Sequence, residues 1–238
     1  MAIVEVGPER KKFHIHKALL THHSEYFRKA LSGPWIEAQE SVVKLSDVDP
    51  EAFGTFASWL YTGKYSFGDV EWEDDMERLG ASVGIYLPCV KAYELGDRLL
   101  ADEYRRTANN ALAKQLVDEL LFGREDFYKL VIYAFEHIAE DRIVLQFLVD
   151  YFCKFPNYEI LGESPMGTEE IALRQELPRA YMLRVIHEKC DPRLLGFCNG
   201  ERDERERCYL EHAGEKEQAK CPKLHMDFDE REGLAHFK

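Results

Sequence analysis

Phe13-His14-Ile15-His16-Lys17-Ala18-Leu19-Leu20, then Ser24-Glu25-Tyr26-Phe27, then Val42-Val43-Lys44-Leu45-Ser46-Asp47-Val48, then Phe53, Phe56 and Trp59-Leu60-Tyr61-Thr62-Gly63 make up the pattern that decides the fold. Ile3-Val4-Glu5-Val6 and Phe13-His14-Ile15-His16 alternate with the period of two that strands require, and Gly7-Pro8-Glu9-Arg10 between them supplies a hairpin turn. Residues 17–22 read as a first helix, and Ser24 caps a second that runs to Leu31. Gly33-Pro34 stops it, with glycine expected in the left-handed conformation and proline just beyond. Val42-Val43-Lys44-Leu45 reads as a short strand. Asp49-Pro50 then opens a helix, Asp as N-cap and Pro at the first helical position. Its spacing puts Phe53, Phe56, Ala57, Leu60 and Tyr61 on one face, and Gly63 ends it.

Outward from this block, residues 66–76 are acidic and read as a solvated loop with no role that the residues assign, and 89–100 and 102–116 read as amphipathic helices. Past about residue 120 strand signals stop. Phe127, Leu130, Val131, Ala134, Phe135 and Ile138 form one helical stripe, and Ile143, Phe147, Tyr151 and Phe155 a second. Each stripe would contribute at most on the order of 10 kcal/mol if buried, which requires the helices to form a small bundle. Residues 169–176 are helical in character, and Pro178 opens a further helix carrying Tyr181, Met182, Val185 and Ile186. From Asp191 the chain reads as a charged loop.

Composition bounds the function. With 45% hydrophobic residues and 12% aromatics, the 238-residue chain can bury a core. Its 44 Asp and Glu against 31 Lys and Arg give a net charge of −13, which argues against nucleic acid and anionic membranes and favours a basic protein partner. Met1-Ala2-Ile3-Val4-Glu5-Val6 lacks the features of a signal peptide, and no apolar run approaches the ~20 residues of a membrane span. The expectation is a soluble intracellular protein, cytoplasmic or nuclear, whose six cysteines are reduced thiols or metal ligands.

Phe13-x-x-His16-Lys17 before Leu20, Ser24-x-Tyr26-Phe27, the Leu45-Ser46-Asp47-Val48 strand exit and Leu60-Tyr61-Thr62-Gly63, in this order, resemble the BTB/POZ domain across about residues 2–117. Trp59 before Leu60, and Tyr93-x-Leu95-x-Asp97-x-Leu99, look most like the BTB proteins of filamentous fungi. The resemblance implies an α+β fold, a small sheet with helical hairpins, and a role as a protein-interaction platform rather than an enzyme. Many BTB domains carry an additional helix and strand before the first hairpin, which swap to form a homodimer. This sequence starts at the hairpin, so a homodimer of that swapped form is not expected.

Some BTB proteins are substrate adaptors of cullin-3 ubiquitin ligases and touch the cullin through a hydrophobic-x-Glu motif between the second helix and the next strand. Trp35-Ile36-Glu37 occupies that place, and with Phe27 these are the nominated partner-binding residues. An aromatic anchor filling a pocket beside a register-setting carboxylate is the functional reading. The plainer one has Trp35 packed on its own domain and Glu37 solvated.

Cys208-x-x-x-His212 and Cys221-x-x-x-His225 repeat an i, i+4 pairing that could complete a tetrahedral structural zinc site, with Cys190 and Cys198 upstream. The alternative is a tail with scattered thiols, and no other cofactor is implied. His14, His16, His22 and His23 lack the carboxylates of a metallohydrolase, and Gly80-Ala81-Ser82-Val83-Gly84 is neither a phosphate loop nor a nucleophile elbow. Residues 202–207 mix both signs and read as a solvated tail rather than an RNA-binding arm.

The resulting scheme is a BTB/POZ domain over 1–118, a helical region over 119–189 and a charged Cys/His tail over 190–238. It serves protein–protein interaction, with recruitment of substrate to a cullin-3 ligase as the sharper form. A BTB scaffold or dimerisation protein without ligase partners is the alternative. A zinc-tail nucleic-acid regulator comes after both, given the charge.

Overall fold

The computed structural model describes residues 1–65, 83–118, 124–154, 167–190, 208–221, 227–228 and 235–236. It is an amino-terminal α+β region with a small mixed sheet, followed by a helical region. The chain divides into two compact units, Met1–Asp74 with Leu87–Ala111, and Asp75–Tyr86 with Leu112–Lys238.

In the first unit β1 (Ala2–Val6) is the central strand. It pairs antiparallel with β2 (Lys11–Ile15) and parallel with β3 (Val42–Leu45). The alternation read from the sequence is real: Ala2, Val4 and Val6 are fully buried while Ile3 and Glu5 are only partly so. The hairpin turn needs Gly7 twice over. Its φ of +75° is left-handed, and a Cβ there would stand 2.8 Å from Pro50 Cγ.

Helices α2 (Glu25–Ser32) and α4 (Pro50–Thr62) supply the aromatic core and α1 (Lys17–His23) adds Leu20, with a short α3 (Ile36–Glu40) between α2 and β3. The start of α2 is fully satisfied. Ser24 Oγ accepts from Phe27 N–H and donates to Leu99 O, while Glu25 and Tyr26 N–H donate to the carbonyls of Leu100 and Leu99. Those carbonyls lie in the junction between α5 (Val83–Arg98) and α6 (Asp102–Asp118). The junction is a Schellman turn in which Ala101 N–H reaches Gly96 O, Leu100 N–H reaches Asp97 O, and Leu100 takes φ +50°. Gly96 allows the close crossing, because a Cβ would meet Arg105 backbone at 2.9 Å.

Asp49 caps α4 by accepting from Glu51 N–H at 2.8 Å, and Gly63 closes it at φ +66°. The buried face differs from the one the spacing suggested. Phe53, Phe56, Trp59 and Leu60 are buried, whereas Tyr61 is 53% exposed and its hydroxyl accepts from His16 N–H at 3.2 Å. The same hydroxyl lies 2.9 Å from His16 Nδ1, within hydrogen-bond distance. Tyr61 therefore pins the strand-to-helix corner from outside, and Trp59 fills the interior. Helix α5 also begins at Val83 rather than at Cys89 and runs through Pro88.

The second unit is built on α7 (Arg124–His137), α8 (Ile143–Lys154), α9 (Thr168–Glu176) and α10 (Arg179–Cys190). The α7 stripe is buried at Phe127, Leu130, Val131, Ala134 and Ile138. Helix α8 buries more than the stripe foreseen: Val144, Leu145, Leu148 and Val149 join Phe147 and Tyr151 inside, while Phe155 lies outside the described residues. The tail is not wholly loop. A helical turn, α11 (Glu215–Gln218), and two strands, β4 (Asp227–Phe228) and β5 (Ala235–His236), pair Asp227 with His236 and Phe228 with Ala235. Strands of two residues are too short to leave a periodic signal in sequence, which is why none was expected past residue 120.

Candidate functional site

Between α2 and α3 the chain leaves the core in a bend fixed by Gly33. Its φ of −87° is ordinary extended backbone, so the left-handed stop expected there is absent. The reason for glycine is space: a Cβ would stand 2.5 Å from Trp35 Cδ1 and 2.6 Å from Nε1, so the indole lies across the glycine. Trp35 is also the N-cap of α3, its carbonyl accepting from Ala38 N–H at 3.1 Å. Backbone and ring are thus both positioned, yet the side chain is left in solvent. Trp35 is 60% exposed and Ile36 62%, two large apolar groups side by side, with Glu37 in the first turn of α3.

Charged groups frame this surface. Glu37 and Asp47 lie close enough to the half-buried Tyr26 to reinforce the burial that pushes its phenol above the usual range, against the opposing pull of Arg98. Arg98 is paired with Asp47, whose carboxyl is held below its ordinary value chiefly by that hydrogen bond. On α2, Arg28 and Lys29 both pair with Glu25. The segment presents an exposed apolar pair beside one carboxylate. Such a surface can take an apolar pocket and a donor from a partner, and holds no nucleophile or base set for catalysis.

The BTB/POZ domain family model matches residues 2–86. Residues 2–86 are a BTB/POZ domain. It is a non-catalytic module for protein–protein interaction or dimerisation. Among the described residues no helix is long and apolar enough to cross a membrane.

Within the BTB/POZ domain the nominated residues separate. Trp35, Ile36 and Glu37 share one short segment at the surface. Phe27, nominated with them, is a core residue instead: it is fully buried and packs on Phe53 and Phe56, so it has no face to offer a partner. Its place next to the half-buried Tyr26 in sequence gave no sign of this, because successive helical residues point about 100° apart. His14 and His16 are exposed, and His23 lies against Trp59 and within 3.3 Å of a Glu103 carboxylate oxygen. Cys89 is a buried thiol that desolvation pushes up to about 12, which makes it a packing residue rather than a reactive one. Tyr26, Asp47 and Arg98 come together only through the tertiary fold, so no sequence motif joins them.

In the second unit Cys208, His212 and Cys221 converge. Cys208 Sγ is 3.3 Å from His212 Nε2 and 3.7 Å from Cys221 Sγ. His225 and Cys198 lie outside the described residues, as does the acidic segment 66–76, and Cys190 is exposed at the end of α10. Helix α10 itself exposes Met182, Leu183 and Ile186.

Proposed function

We propose that the BTB/POZ domain docks the amino-terminal domain of a cullin-3 ubiquitin ligase through Trp35, Ile36 and Glu37, and that the chain is a substrate adaptor. The observation that carries this reading is the exposure of Trp35 and Ile36, 60% and 62%, on a segment whose backbone is fixed by the N-cap of α3. Leaving a tryptophan in water forgoes the burial that would normally stabilise it, and tryptophan is the side chain most enriched at binding hot spots. Because the indole rests on Gly33, less side-chain freedom is lost on binding than for an unconstrained Trp. Glu37 supplies the carboxylate that sets register.

In this reading the BTB/POZ domain extends to about residue 118, and the carboxy-terminal region, made of the helical part 119–189 and the charged Cys/His tail 190–238, selects the substrate. The exposed Met182, Leu183 and Ile186 support a binding role for that helical region. Trp59-Leu60 and the Tyr93-x-Leu95-x-Asp97-x-Leu99 run support kinship with the BTB proteins of filamentous fungi, acting in cytoplasm or nucleus.

Calorimetry of the full chain against its own organism's cullin-3 amino-terminal domain tests the proposal. Binding at micromolar affinity or tighter is expected, reduced by ~2 kcal/mol or more in a folded Trp35→Ala/Glu37→Ala double variant. Failure of the wild-type protein to bind would remove the adaptor reading and leave a BTB scaffold or dimerisation protein.

A further inference from the structure

We infer that Cys208, His212 and Cys221 bind one zinc ion that closes the segment 208–221 into a loop. The spacing of the three donors is the first argument. Tetrahedral zinc with Zn–S bonds of about 2.3 Å and Zn–N bonds of about 2.0–2.1 Å sets neighbouring ligand atoms about 3.6–3.8 Å apart. Cys208 Sγ and Cys221 Sγ are 3.7 Å apart, and Cys208 Sγ and His212 Nε2 3.3 Å, with all three donor atoms within 4.8 Å of one another. A disulfide does not account for this. The sulfur separation far exceeds the ~2.05 Å of an S–S bond, and an oxidised pair would have no use for the imidazole.

The second argument is what else could hold the loop shut. Residues 208–221 carry Glu211, Glu215, Lys216, Glu217 and Lys220, and Tyr209 is the one buried residue among them. The segment itself has little apolar surface to remove from water, so a metal bound at its ends would add closure that burial supplies only at Tyr209. Local hydrogen bonds shape the turn: Ala213 N–H donates to Glu217 Oε2 at 2.7 Å, α11 follows, and Cys221 N–H reaches Gln218 O at 3.2 Å. These bonds bend the chain back, and the three soft donors meet where its ends approach.

The site also rests on a rigid support, as metal sites require. Tyr209, next to Cys208, packs its ring on Phe147 of α8 at 4.9 Å and donates its hydroxyl to buried Asp150 Oδ2 at 2.6 Å. Asp150 in turn accepts from Gln146 Nε2 at 2.8 Å. Two thiolates and a neutral imidazole cancel the charge of Zn²⁺, so a half-buried site bears no net charge. Two sulfur donors and an imidazole favour zinc over calcium or magnesium, and a tetrahedral zinc held by these three would keep one vertex for a further ligand.

The test uses the full chain, expressed without a histidine tag and kept reduced. Elemental analysis should find about one zinc per chain. The metal-free protein should bind Co²⁺ with the visible bands of a tetrahedral site and a near-ultraviolet thiolate-to-cobalt charge-transfer band. In His212→Ala and in Cys208→Ser/Cys221→Ser the zinc content and the cobalt bands should fall by about tenfold or more, since losing even an outer-shell partner costs about 10–100-fold in affinity. Folded, reduced wild-type protein that takes up neither metal in the presence of a micromolar-affinity chelator overturns the inference. So does full retention of zinc in both variants, or a Cys208–Cys221 disulfide found by mass spectrometry in protein purified without air.

Discussion

Phe56 shows how single side chains hold the interaction module in shape. It is fully buried, with Phe27 stacked at 6.4 Å, Trp59 stacked at 6.1 Å and Tyr104 edge-on at 5.0 Å. Phe56→Ala should destabilise the protein by about 3–5 kcal/mol, read as a lower denaturation midpoint in urea, because the aromatic cluster cannot collapse onto the space left. Asp49 is a different case, an electrostatic residue. Burial pushes its carboxyl up, but the Lys91 ammonium at 2.9 Å and the N–H groups of Glu51 and Ala52 outweigh that and hold it below its ordinary value. A depressed carboxylate contributes stability that is present above its unfolded value, about 3.9, and is lost as pH falls through the folded value. Asp49→Asn keeps an N-cap oxygen and removes the charge. The variant should be less stable than wild type at pH 7, and the difference should shrink in thermal melts taken below about pH 4.

At the scale of elements, helix starts were legible and surface bends were not. Ser24, Asp49 and Pro50 announce their helices because capping is local chemistry, and the structure repeats it atom by atom. Gly33 has a cause that turn chemistry does not announce: the ring of Trp35, two residues on, occupies the place of its side chain. The short α3 is a single local turn with no capping side chain to mark it, and the outward turn of Tyr61 depends on His16, which is distant in the chain. Gly33→Ala follows from this geometry. Its backbone suits alanine, so stability should stay within about 1 kcal/mol of wild type. The indole must move, and affinity for the cullin should weaken about tenfold, ~1.4 kcal/mol, in the same calorimetric experiment.

Across the whole molecule, the α+β domain and the helical region were legible because their apolar periods are long and their turns chemically explicit. Trp35, Ile36 and Glu37 were legible as a candidate surface because they are contiguous, and a contiguous motif can be read directly. Tyr26 in α2, Asp47 in the turn after β3 and Arg98 at the end of α5 are far apart in sequence, and only folding brings them together. The Cys208, His212 and Cys221 cluster lies between, visible as spacing and resolved as distances. A net charge of −13 makes a basic partner surface favourable, and in the proposed docking the apolar pair would supply specificity. Amide hydrogen exchange of the full chain, with and without the cullin-3 amino-terminal domain, tests the docking surface most directly. The account predicts slowing concentrated in residues 33–40 around Trp35 and Glu37. No slowing there, or slowing confined to residues 179–190, would contradict it.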